Sequence, residues 1–175
     1  MRKIILSLLM IFTLVFSIYG WNYYNDYYLQ ISEKEVKEFL EKFNGDKIQI
    51  LNFEQIENTN VWLAHFKSNK KQFGHAQFNE GWNHRLKFIN FVTDPNVTYK
   101  EYDTNKGKYG VLFVGNLDNN ISKIKINSQL KNYEIEINIT SSKPFMKAFS
   151  LPKNIDNTSP ASFSFYDKSG NFINE

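Results

Sequence analysis

Hydrophobic and polar positions divide this chain into three kinds of pattern. The first is unbroken. From Ile4 to Trp21 no residue carries a charge, Arg2 and Lys3 stand directly before the run, and the next charge is Asp26. A helix over this run is about 27 Å long at about 1.5 Å per residue, close to the roughly 30 Å hydrocarbon core of a bilayer. Tyr19, Trp21, Tyr23, Tyr24, Tyr27 and Tyr28 crowd its far end, and such rings favour the membrane–water interface, which satisfies an apolar ring and a polar edge together. Tyr24, Tyr27, Tyr28 and Ile31 keep helical spacing, so the helix is expected to run on past the membrane.

The second pattern is amphipathic. Val36, Phe39, Leu40 and Phe43 recur at helical spacing, which predicts a helix from Ser32 to Phe43 with one buried stripe. Ser32-Glu33-Lys34-Glu35 has the form of a capping box, with Ile31 and Val36 placed as a hydrophobic staple. Gly45 suits a left-handed stop.

The third pattern is a series of short β runs between turn residues. Strands are expected near Ile48–Gln55, Val61–Lys67, Phe73–Phe78 and Arg85–Val92, as a meander with the helix on one face. Thr93-Asp94-Pro95-Asn96 breaks the series, because Pro95 fixes its own φ and restricts Asp94. Val97–Tyr102 follows, then a turn at 105–108. Tyr109–Gly115 is apolar on both parities and so predicts a strand buried on both faces. Ile121–Ile126 and Tyr133–Ile139 predict a hairpin in which Tyr133, Ile135, Ile137 and Ile139 face the core. Its wet face sets Lys123 and Lys125 against Glu134 and Glu136. Phe145–Leu151, Ser162–Tyr166 and a last turn at 168–171 complete the set, which suggests a small sandwich.

Composition narrows the class. The chain has 175 residues, 17% aromatic, with net charge +3 and no cysteine. It can build a core and is not disordered by composition. Setting aside Arg2 and Lys3 leaves one net positive charge. The densest basic run, Lys67-Ser68-Asn69-Lys70-Lys71, reads as a solvated hairpin loop and not a nucleic-acid surface, which needs clustered positive charge. Without cysteine the chain uses no disulfide, thiolate nucleophile or Cys-ligated zinc.

The leader has two readings. A cleaved signal peptide has a basic start, an apolar core and small residues before the cut. Here the best cut, Ile18-Tyr19-Gly20, carries a bulky outer residue. The retained anchor is favoured, with Arg2 and Lys3 holding the N-terminus in the cytoplasm.

Candidate chemistry is sparse. His65 and His75 lie on successive expected strands and His84 at the turn beside Trp82 that leads into the next, and three imidazoles plus a water make a zinc site where register allows. No metal-binding spacing reinforces them, so they are read as ordinary sheet-surface histidines. The nucleophile elbow, Ser-x-x-Lys and phosphate-loop patterns are lacking. Glu54 with Glu57, and Glu134 with Glu136, read as solubilising carboxylates. Gly74, Gly81 and Gly110 read as turn or packing positions. No catalytic, cofactor-binding or metal residue is assigned, and no cofactor is expected.

The basic-apolar leader, the Ile121–Ile139 hairpin and the terminal stretch from Ser162 to Asn171 together resemble small exported or membrane-anchored proteins of bacilli and their relatives. The latter two stretches look like the edges of immunoglobulin-like modules, and the resemblance implies no catalytic residue. The expected fold is α+β: an N-terminal transmembrane helix, one amphipathic helix on an antiparallel β meander, then a small β-sandwich-like C-terminal half. The expected units are 1–31 as anchor or signal segment, 32–95 as helix plus meander, and 96–175 as the all-β unit. The expected role is a single-pass, non-enzymatic binding or interaction module at the bacterial cell envelope, with the membrane and an envelope or membrane protein as partners and no nucleic acid. The alternatives are a secreted or anchored enzyme acting on cell-wall or extracellular material, and a structural or assembly subunit of a membrane complex.

Overall fold

The computed structural model describes residues 2–129, 133–155 and 157–173. Helix α1 runs Arg2–Asp26, and helix α2 Glu33–Asn44. The strands are β1 (Leu29–Gln30), β2 (Ile48–Gln55), β3 (Val61–Ser68), β4 (Phe73–Glu80), β5 (Arg85–Asp94), β6 (Val97–Thr104) and β7 (Gly107–Val114). There follow β8 (Lys123–Ser128), β9 (Glu134–Asn138), β10 (Phe145–Ser150), β11 (Ala161–Tyr166) and β12 (Phe172–Ile173).

The stretch Ile4–Asp26 within α1 is long and apolar enough to cross a membrane, and none of its apolar window is buried. Two hydroxyls in its middle turn inward on its own backbone. Thr13 Oγ1 donates to Leu9 O at 3.0 Å and Ser17 Oγ to Thr13 O at 2.8 Å, so neither hydroxyl needs water. The helix ends at Asp26, earlier than the tyrosine spacing suggests. Ile31 leaves the helical register and packs with Val36 and Leu40 in the core of the first sheet instead.

Helix α2 buries Val36 and Leu40 completely and stops at Gly45, whose φ of 69° is left-handed and whose N–H donates to Glu41 O at 2.9 Å. The capping box does not form. Ser32 has the extended N-cap backbone but makes no side-chain cap bond. Glu35 reaches back past it and accepts from the Gln30 N–H at 3.0 Å. The Ser32 N–H is already donated to Gln30 O at 2.8 Å, which removes the box's second partner.

Three antiparallel sheets follow, with strand orders β1-β5-β4-β3-β2, β10-β7-β6 and β12-β11-β8-β9. They stack as layers. Ala64, Phe66, Ala76 and Phe78 face α2 on one side of the first sheet. On its other side Ile56, Val61 and Leu63 meet Tyr102, Tyr109, Val111 and Phe113 of the second. The second sheet turns Tyr99, Leu112 and Val114 toward Ile124, Ile126 and Ile137 of the third. Strand β7 therefore lies in a middle layer, which accounts for its two apolar parities. The second and third sheets form the sandwich-like C-terminal half.

The β8–β9 hairpin has the expected core face, and the residues joining its strands, 130–132, lie outside the described residues. Lys125 stands opposite Glu136 and Lys123 opposite Asn138. The ion pairs run diagonally, Lys125 to Glu134 at 2.7 Å and Lys123 to Glu136 at 3.5 Å.

Candidate functional site

Only Tyr27 and Tyr28 separate α1 from β1. Strand β1 pairs with β5 at the sheet edge, Leu29 opposite Leu86. That pairing carries the tip of the β4–β5 hairpin, Gly81–His84, onto the last turns of α1. The two linking residues have no helical or ladder partner for their carbonyls, and the hairpin supplies donors there. Asn83 Nδ2 donates to Tyr27 O at 3.2 Å and Arg85 Nη1 to Tyr28 O at 2.9 Å. Lys87 Nζ pairs with Asp26 Oδ2 at 2.6 Å, an exposed contact whose hydrogen bond raises the Lys87 pKa. Cations at a helix C-terminus also oppose its dipole.

Aromatic packing completes the joint. The Trp82 N–H donates to Tyr23 Oη at 2.6 Å. The Tyr23 ring stacks on Trp82 at 4.9 Å and on Tyr27 at 4.5 Å between centroids. Gly81 permits this approach, since a Cβ there would sit 2.1 Å from Tyr23 Oη. Trp82 nevertheless stays 69% exposed and overhangs an apolar groove along α1 lined by Phe12, Val15, Phe16, Tyr19, Gly20 and Tyr23. The sequence marks 79–83 only as a turn. The available signal is that a solvated turn has no use for a tryptophan between Gly81 and Asn83.

A second polar assembly lies between the first two sheets. His65 and His75 stand directly opposite each other on β3 and β4, and both are buried, not on the sheet surface as the sequence reading has them, because the second sheet covers that face. His75 Nδ1 is bonded to the Asp94 carboxylate, and Phe113 stacks on the His75 ring at 4.5 Å. Burial, opposed by the Asp94 charge and reinforced by His75, pushes the His65 pKa down to about 4. Burial, with the Asp94 charge adding to it, pushes the Tyr102 phenol up. His65 Nδ1 and Tyr102 Oη have no hydrogen-bond partner among the described residues.

The structure thus brings His65 and His75 together and leaves His84 apart, exposed at the hairpin tip against Glu80 at 2.9 Å. Among the described residues no group of three His, Asp or Glu side chains is arranged to hold a metal ion. An imidazole–carboxylate pair is acid–base machinery where substrate can reach it. Here Phe113 covers it, and the surface clefts at Ile137–Lys147, Asp118–Asn120 with Asp167, and Glu54–Glu57 with Met146 are lined by other residues. Asp94, read from sequence only as part of a Pro-marked break, is the charged member of the assembly.

No family model matches the chain, and neither a curated protein nor a solved structure does.

Proposed function

We propose that this is a single-pass protein anchored in the cytoplasmic membrane by α1, with its layered β domain outside as a binding or interaction module of the cell envelope. One observation carries the reading: α1 is exposed over its apolar length, yet its outer end is fastened to the folded domain by Tyr23, Asn83, Arg85 and Trp82. A removable leader has no need of such a joint. Gly20, the best cut, lies inside continuous helix, whereas cleavage sites favour exposed loops. Arg2 and Lys3 favour a cytoplasmic N-terminus. The closed setting of the His75–Asp94 pair supports binding over an enzyme acting on wall material. An assembly role in a membrane complex shares the same anchor.

Protease added to intact protoplasts is expected to degrade the β domain and leave a membrane-protected fragment that resists alkaline extraction. An intact mass beginning after Gly20, a domain protected from protease, or recovery in the cytosol would refute the proposal.

A further inference from the structure

We infer that the tip of the β4–β5 hairpin is a second membrane contact, in which Trp82 lies in the interfacial layer and a lipid acyl chain fills the groove that it overhangs on α1. This inference rests on the anchor reading, and it adds which face of the domain meets the bilayer and what occupies the groove.

Three observations carry it. Trp82 is fixed to Tyr23 by a backbone hydrogen bond and a ring stack, and it also meets Tyr24 edge-on at 6.0 Å. Its depth is therefore that of the aromatic belt of α1, where indoles concentrate. The indole is 69% exposed and continuous with the exposed Phe12, Val15, Phe16 and Tyr19 of α1, and a contiguous apolar patch of this kind marks a contact surface. The groove descends from Trp82 through Tyr19 and Phe16 to Phe12, from the interface into the level of hydrocarbon tails.

The lining distinguishes the possible occupants. Close helix pairing in membranes uses small residues at four-residue spacing so that backbones approach. Gly20 is the single small residue of this groove, and Phe12, Phe16, Tyr23 and Trp82 flank it. These rings hold a second helix away but leave an open apolar groove about 640 Å3 in volume. The nearby cations are already committed, Arg85 to Tyr28 O and Lys87 to Asp26. The contact is therefore apolar and not selective for anionic headgroups.

Tryptophan quenching tests this in the full chain, reconstituted into phosphatidylcholine vesicles with bromine near the glycerol end of the acyl chains. Trp21→Phe with Trp62→Phe leaves Trp82 as the only reporter, and Trp62→Phe with Trp82→Phe leaves Trp21. Trp82 is expected to lose emission to the same extent as Trp21, equally with and without phosphatidylglycerol. Trp21→Phe alone, which keeps the Trp62 hydrogen bond to Glu80, is expected to lose only the Trp82 share. Quenching of Trp21 with Trp82 unaffected overturns this inference and leaves the anchor intact. Quenching of neither removes the anchor reading as well. Quenching of Trp82 that falls as protein-to-lipid ratio rises, with energy transfer between labelled chains, gives the groove to a second copy and overturns the lipid assignment.

Discussion

His65 is an imidazole held among aromatic rings, with Phe73 at 6.2 Å and Phe113 at 5.7 Å between centroids. His75 and Asp94, on the next strands of the same sheet, are the charged groups that act on it. Its pKa falls from 6.5 to about 4 in the folded chain, mainly by burial. A base with a depressed folded pKa leaves stability unaffected above its unfolded value. As pH drops from about 6.5 to about 4, the unfolded chain takes up a proton that the folded chain refuses, and up to about 3 kcal/mol of stability is lost. Urea unfolding of the full chain in detergent is expected to shift to lower midpoint between pH 7 and pH 4.5. His65→Leu should remove most of that shift while leaving the midpoint at pH 7 similar or higher, because it also deletes a buried nitrogen without a partner. An equal acid shift in both chains would assign the loss to other groups.

At the scale of elements, α2 is held by its stripe and not by its surface charges. Leu40→Ala is expected to cost about 3 kcal/mol, within the roughly 2–5 kcal/mol range for large-to-small core changes. Lys34→Ala, which loses an exposed pair with Glu38 at 4.0 Å, should cost under about 0.5 kcal/mol. Denaturant midpoints of the two variants measure the contrast. Glu101 makes a comparable prediction for a loop. One of its oxygens accepts from the Thr158 and Ser159 N–H groups at 2.6 and 2.8 Å and also from the Thr158 hydroxyl. Glu101→Ala should speed hydrogen exchange at Thr158 and Ser159 with little change in β3, and uniform loss of protection would contradict that local role. Most elements here were legible because their periodicity is local: the alternation of β9 and the double parity of β7 survive in the structure, and of the expected α2 stripe Val36 and Leu40 are buried and Phe39 half-buried, while Phe43 at the last turn stays exposed. β1 was not legible, since two residues hold it only by pairing with β5, and Leu29-Gln30 carries no strand signal alone. The reciprocal half of the capping box is lost to Gln30, which takes both the Ser32 N–H and the Glu35 carboxylate. The candidate site was less legible still. His65 and His75 were visible as residues, but their pairing depends on register, and the Trp82–Tyr23 contact joins positions distant along the chain.

For the whole molecule, the middle sheet belongs to two cores at once. Val111 and Phe113 pack toward the first sheet, while Leu112 and Val114 pack toward the third. Loss of packing on one side therefore weakens the template for the other. Ile124→Ala, in the third sheet, is expected to lower the stability reported by hydrogen exchange of β3 amides in the first sheet as much as that of β8 amides. Unchanged β3 protection would mean that the layers open independently. The Asn60–Asn105 exchange, in which each amide N–H donates to the other side chain at 3.0 Å, adds a polar tie between the first two sheets. The short passage from α1 into β1 has a further consequence once α1 stands in a bilayer as proposed. A domain on a slack tether sweeps a hemisphere and meets partners in any attitude. One mounted without slack keeps a single compass bearing toward the membrane, and its reach is no greater than its own dimensions. For a partner confined to the same bilayer, the search becomes one of sliding and rotating in a plane, and local concentration rises with no added contact area.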